Sequence, residues 1–337
     1  MGLRKSIRIA PGVRATVSKS GVSYSAGTKY GRVTKTARGE ITGTAKIPGS
    51  GISYSTRLSG RAGPPALGTR HASGAQPTPA PAPPKRPGWS RPAWEKKLYD
   101  VLHGDRPMAE LTEIGASDRR ARRLCAALEG FYAATQLDFV RTLALLGSLA
   151  NERYDPQSER FAAKYLVGST VSILFSDLGA TTRVIDGDAI LMMTAELYKA
   201  RGKPDLAAYL LKETSPGSGG TVRLAEVEND RGNYRLAEIL TQNLSAHDDE
   251  DAFGVLMCAG AQRHLGHPKD AVNSANTVVH SPHGIMKKIK MRAHVERAHG
   301  LIDLRCFPAA FQDYEYVSDQ EPATPGLTEL GRRLSQR

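Results

Sequence analysis

Two hydrophobic periods divide the chain. Val13, Ala15 and Val17 alternate with Arg14, Thr16 and Ser18, and Val22 and Tyr24 alternate with Ser23 and Ser25. Ile41, Gly43, Ala45 and Ile47, then Ile52 and Tyr54, repeat the pattern. A period of two sends apolar and polar side chains to opposite faces of a strand. Pro11-Gly12, Ser20-Gly21, Gly27, Arg38-Gly39 and Pro48-Gly49-Ser50-Gly51 supply the turns. Six short strands are predicted for residues 1–60. From Trp94 the spacing lengthens to three and four: Leu124, Leu128 and Tyr132 trace one helical face, and Phe139, Leu143, Leu146 and Ala150 another. Helices are predicted over residues 94–180, with starts at Ser117-Asp118 and at Asp105 ahead of Pro107.

Both halves repeat internally. Ser20-Gly21-Val22-Ser23-Tyr24-Ser25 returns 30 residues later as Ser50-Gly51-Ile52-Ser53-Tyr54-Ser55, so the front reads as a duplicated β unit. In the later half Gly202, Gly232 and Gly266 each precede an alanine by five residues (Ala207, Ala237 and Ala271). Arg305 and Ala310 form a degenerate fourth unit. Each glycine is expected to close one helix, and each alanine to sit where the next helix packs tightly against it. This pattern resembles the tetratricopeptide class of helical hairpin, whose period is about 34 residues; an irregular bundle of glycine-ended helices is the alternative. The resemblance implies a concave surface lined by first helices around residues 190–200, 222–230, 252–264 and 287–300. Thr328, Glu329, Arg332, Arg333 and Gln336 would supply a polar cap.

Charge is as uneven as the pattern. Residues 1–60 carry Arg4, Lys5, Arg8, Arg14, Lys19, Lys29, Arg32, Lys35, Arg38, Lys46 and Arg57 against the single acid Glu40. Five further bases and no acid bring residues 1–93 to +15, so a chain of +12 leaves −3 for the remainder. These eleven residues are the candidates for contacting a polyanion, either nucleic acid or an anionic membrane surface; charge that merely keeps a small module soluble is the alternative. Nine of the twenty prolines fall in residues 61–92, centred on Pro77-Thr78-Pro79-Ala80-Pro81-Ala82-Pro83-Pro84, which predicts an extended linker.

Arg4-Lys5-Ser6-Ile7-Arg8-Ile9-Ala10-Pro11-Gly12-Val13-Arg14, then Ser18-Lys19-Ser20-Gly21-Val22, then Ile47-Pro48-Gly49-Ser50-Gly51-Ile52-Ser53-Tyr54 closely resemble the bacterial family called domain of unknown function 4236. The resemblance spans residues 2–58. It implies an accessory bacterial module with no assigned activity.

The expected architecture is therefore an α+β multidomain chain. It comprises a small all-β module with internal duplication (1–60), a Pro-rich linker (61–92), a helical region (93–186) and an all-α set of helical-hairpin repeats (187–337). Cys125, Cys258 and Cys306 are odd in number and far apart, which argues for reduced thiols and a cytoplasmic protein. No apolar leader is apparent near the N-terminus, and the longest uncharged stretch of the apolar middle, between Lys164 and Asp177, is shorter than the roughly 20 residues of a membrane span.

Chemistry is sparse. His264, His267, His280, His283, His294, His299, Cys258 and Cys306 crowd the later half, yet His267 and His283 fall in turns beside prolines, so no metal site is expected. Gly217-Ser218-Gly219-Gly220-Thr221 lacks the lysine of a phosphate loop. Asp248-Asp249-Glu250-Asp251 lacks the ligand spacing of a calcium loop and is read as a helix N-cap. No catalytic set or cofactor site is expected. The sequence points to a non-enzymatic scaffold whose repeats bind a protein or peptide. The alternative is a nucleic-acid or anionic-surface binder acting through the basic front.

Overall fold

The computed structural model describes residues 85–336, apart from 104, 168, 176–178 and 218 and the side chains of 174, 175, 179 and 180; ahead of residue 85 it describes strand backbone only. That backbone comprises β1 (Lys5–Ala10), β2 (Val13–Ser18), β3 (Gly21–Gly27), β4 (Gly31–Lys35), β5 (Ile41–Lys46) and β6 (Ser53–Ser59), each antiparallel to the next. Of the predicted turn residues Gly21 and Gly27 are the ends of β3; the other predicted turns, and residues 61–84 of the predicted linker, lie outside the described residues.

The expected fold class is corrected on two counts. First, a self-contained all-β module is not supported. The strands run in sequence order, and the run continues, through the pair Ser53–Thr170, to β7 (Thr170–Phe175) beyond the expected boundary at residue 60. Second, the fully described part is 67% helical but not all-α, because β7 and β8 (Gly179–Val184) form a two-stranded sheet within it. Thr170, Val171, Ser172 and Ile173 alternate with Val171 and Ile173 buried, a strand signal of only six residues.

The chain divides into two compact units, Met1–Ser172 with Thr182–Gly187, and Ile173–Thr181 with Asp188–Arg337. The first contains α1 (Ala93–Leu102), α2 (Glu110–Ser117), α3 (Arg122–Thr135), α4 (Phe139–Asn151), a 3₁₀ turn (Pro156–Ser158) and α5 (Arg160–Tyr165). Helix α3 packs between α2 and α4 around Leu111, Ile114, Leu124, Leu128, Phe131 and Leu146. Each such buried side chain contributes about 1.5–3 kcal/mol through removal from water. The predicted Leu124–Leu128 face is the buried one; of the second predicted face Leu146 and Ala150 are buried, whereas Phe139 is 38% exposed and α4 also turns Thr142 and Leu149 inward. Ser117-Asp118 ends α2 rather than opening a helix: the Asp118 N–H donates to the Ile114 carbonyl at 3.2 Å, while its carboxylate accepts the Arg120 N–H at 2.9 Å in the turn that follows.

The second unit is a succession of hairpins. Their first helices are α6 (Gly187–Ala200), α8 (Gly220–Asp230), α10 (Asp249–His264) and α12 (Lys287–Asp303). Their second helices are α7 (Pro204–Leu211), α9 (Tyr234–Thr241), α11 (Pro268–Val279) and α13 (Phe307–Gln320), and α14 (Leu327–Ser335) follows. All four hairpins turn by the same hydrogen bonds. Lys203, Asn233, His267 and Cys306 donate their backbone N–H to the carbonyls of Tyr198, Glu228, Gln262 and Leu301, respectively, at 2.8–2.9 Å. The residue before each donor is left-handed: Gly202, Gly232 and Gly266 at φ 68–83°, and Arg305 at 59°. This is the Schellman closure, in which a left-handed residue lets the chain cap the last carbonyls of its own helix. Five residues beyond each left-handed position Ala207, Ala237, Ala271 and Ala310 are at most 1% exposed, as the repeat predicted.

First helices pack on first helices, α8 on α10 and α10 on α12; the second helices α7, α9 and α11 also pack on the first helix that follows, and α14 packs on α12 and α13. Val222, Phe253, Leu256, Val278 and Ile289 form one core; Val295, Ala298, Ile302, Val317, Leu327 and Leu330 form another. A side chain at Gly300 would stand 2.7 Å from Val272 Cγ2, so α12 crosses α11 closely only because this position is glycine.

Candidate functional site

Helices α8, α10 and α12 are buried nearly all round, whereas α9, α11 and α14 bury one face each. The first helices consequently carry charge into their mutual contacts, and those charges form a seam. Arg223 on α8, fully buried, reaches Glu196 on α6 (Nε to Oε1, 3.4 Å) and Glu250 on α10 (Nη1 to Oε1, 2.7 Å), and Nη2 donates to Thr181 Oγ1 at 2.8 Å. Lys199 of α6 lies 2.8 Å from Glu226 and 3.4 Å from Glu196. Burial holds the Glu196 carboxyl above the usual range, against the pull of Lys199 and Arg223. Burial also works against the Lys199 ammonium, but the two carboxylates outweigh it and its pKa is raised. Asn229 continues the seam, donating Nδ2 to the Met257 carbonyl at 2.9 Å.

Toward the last hairpin the charges are mainly cationic. Arg292 pairs with Glu296 along α12, and Arg333 of α14 reaches Asp303 at 2.5 Å and the His299 ring Nδ1 at 2.9 Å. Burial lowers the His299 pKa to about 4, with Arg263, Arg333 and Arg292 acting in the same direction against Glu296. A neutral imidazole is what an Arg333 donor requires. Arg333 therefore does not serve as solvated cap polarity, although Glu329 and Arg332 do pair on the exposed side of α14. Between hairpins, Asp313 accepts from Arg297 and bonds His294 at 2.7 Å while Arg297 also donates to Asn276 Oδ1. Burial would raise the Asp313 pKa, but those hydrogen bonds outweigh it and hold it below the usual carboxylate range.

The predicted first-helix ranges coincide with α6, α8, α10 and α12. Asp248 caps α10 as expected, its carboxylate accepting the N–H groups of Glu250 and Asp251 at 2.9 Å. The histidines and cysteines of the later half are separated. His264 stacks on Tyr234, His299 meets Arg333, His294 meets Asp313, Cys258 is buried and Cys306 is exposed. His283 lies beside His247, a residue that local spacing did not single out. In the first unit a shallow cleft of about 170 Å³ is lined by Leu111, Thr112, Gly115, Arg122, Cys125 and Glu129. Glu129 there is held by Arg141 and accepts from Thr112 Oγ1 at 3.0 Å. Burial pushes the Cys125 thiol up to about 12 and also raises that of Cys258, the opposite of nucleophile activation. The eleven basic candidates Arg4, Lys5, Arg8, Arg14, Lys19, Lys29, Arg32, Lys35, Arg38, Lys46 and Arg57 lie outside the residues whose side chains are described. Among the described residues, no helix is long and apolar enough to cross a membrane.

No curated protein matches the chain. Residues 1–55 match a family described as "Protein of unknown function (DUF4236)", in agreement with the resemblance read from the N-terminal motifs.

Proposed function

We propose that this protein is a non-enzymatic, cytoplasmic bacterial scaffold. In this reading the hairpins of residues 187–335 belong to the tetratricopeptide type, and their first helices hold an extended segment of a protein partner. The observation that carries the reading is the fourfold recurrence of one turn, with its left-handed residue and its buried alanine five positions later. Stacked hairpins of this kind present an extended surface made by equivalent helices. Glu196 and Glu226 are held inside the stack, while Lys199 at one end and Arg292 and Arg333 at the other are 22–28% exposed and border that surface. A partner segment carrying carboxylates at the matching spacing would meet complementary charge at each end. The basic front is an attachment or oligomerisation segment in this scheme.

The charge asymmetry of +15 against −3 favours a second reading, in which the front binds a polyanion and the hairpins form its body. Counterion release makes such binding steeply salt-dependent. Capture on the full-length chain from a bacterial lysate, with and without nuclease at two salt concentrations, separates the two readings. Retention of one protein through nuclease and high salt, lost on reversing charge with Arg292→Glu and Lys199→Glu, supports the scaffold. Recovery of nucleic acid alone, released by salt, overturns it.

A further inference from the structure

The loop ahead of α10 and the loop ahead of α12 are tied together at one end of neighbouring hairpins. Ser281 Oγ donates to the Ala246 carbonyl at 2.9 Å, and the Met286 N–H donates to Asp249 Oδ1 at 2.7 Å. These bonds fix two exposed imidazoles against each other, with His247 Nδ1 3.2 Å from His283 Nε2, ring centroids 5.1 Å apart and ring planes at 66°. We propose that His247 and His283 form a two-imidazole site for a divalent transition-metal ion such as Zn²⁺, Ni²⁺ or Cu²⁺, clamping the two loops.

Two arguments carry this. The first is geometric. Nitrogens roughly 2.0–2.1 Å from zinc stand about 3.3–3.4 Å apart at the tetrahedral angle and about 2.9 Å apart at a right angle. The observed 3.2 Å lies between, corresponding to an N–metal–N angle of about 100°. Because the loop hydrogen bonds already hold the rings together, binding costs little ordering of the protein. The second is electrostatic. Asp251, in the first turn of α10, interacts favourably with a positive His247, and Asp248 and Glu250 flank it. That field favours a cation at the imidazole pair.

Without metal, a hydrogen bond between two neutral rings needs one proton between the nitrogens. Coordination places the His247 proton on Nε2 and the His283 proton on Nδ1, leaving both inner lone pairs free for the ion with no net proton release. Among the described residues no group of three or more His, Cys, Asp or Glu converges on a metal position, so water completes the coordination. Imidazole ligands select copper, nickel and zinc over the hard cations magnesium and calcium. The site is independent of the proposed scaffold role. It escapes sequence inspection because its ligands lie 36 residues apart, one ahead of each first helix.

The test is calorimetric titration of the untagged full-length chain with zinc chloride, alongside His247→Asn, His283→Asn and, as control, His264→Asn. One zinc ion per chain is expected, weakened at least tenfold by either of the first two substitutions and unchanged by the third, with no response to magnesium. Loss of an outer-shell partner alone costs about 10–100-fold, so loss of a ligand should cost no less. Binding indifferent to both substitutions, or none at millimolar zinc, overturns the proposal. Should a variant fail to fold, diethyl pyrocarbonate labelling of the unsubstituted chain decides. Zinc protection of His247 and His283 is the expected result; equal labelling with and without zinc overturns the proposal.

Discussion

At the scale of single residues, the turns show how backbone conformation and sequence meet. A Cβ at Gly232 would find nothing within 4 Å, so the position is glycine for conformation and not for space. Left-handed backbone costs a non-glycine residue roughly 1–2 kcal/mol, partly offset by a stiffer unfolded chain. Gly232→Ala should therefore lose about 1 kcal/mol in urea unfolding. Gly260, also with open space around it but inside α10 and without positive φ, should gain about 0.5–1 kcal/mol on the same change. Opposite signs at two equally roomy glycines isolate the backbone effect. His299 offers a pH test. Its pKa falls from an ordinary 6.5 to about 4 on folding, so the unfolded chain binds the proton more readily between those values. The stability associated with neutral His299 is complete above pH 6.5 and is lost as pH falls toward 4. Between pH 7 and 4.5 the chain should lose about 2–3 kcal/mol more than His299→Gln, as read from urea midpoints at both pH values.

At the scale of elements, two classes of helix differ in what their pattern reveals. Second helices such as α9 and α11 have one solvent face, and regular spacing marks them. First helices are surrounded, so buried polar groups such as Arg223, Glu228 and Glu296 interrupt any apolar stripe and the periodicity fades. The glycine–alanine offset remained legible because it reports the turn and the closest crossing, both local. Arg305 was legible for the same reason, although glycine is absent there. The β7–β8 pair was not, since six residues of alternation within a leucine- and alanine-rich region resemble a stretch of helix. Ser117-Asp118 misled because an aspartate after a serine serves a helix end and a helix start equally well; the Asp118 N–H donated back to the Ile114 carbonyl decides for the end of α2. The seam was likewise beyond sequence, because its partners come from three helices and β8. It predicts a large single effect. Arg223→Ala leaves Glu196 and Glu250 without their buried counter-charge, and breaking such a pair costs about 3–5 kcal/mol. Thermal or urea unfolding checks this, and Lys212→Ala, whose partner contact spans 3.8 Å from an exposed ammonium, should change stability far less.

At the scale of the whole molecule, the sequence separated a basic front from a helical remainder by charge and period alone. It could not reveal that the strand run continues to β7 through the pair Ser53–Thr170, because alternation reports which residues share a face and not which strand lies alongside. The surface proposed for partner binding is likewise a property of several hairpins together, since each contributes one helix. Hydrogen–deuterium exchange on the full-length chain, free and saturated with the protein it captures, tests the scaffold most directly. The account predicts that added protection concentrates in α6, α8, α10 and α12, with α7, α9 and α11 little changed. Protection confined to residues 1–60, with the first helices unaffected, would contradict it.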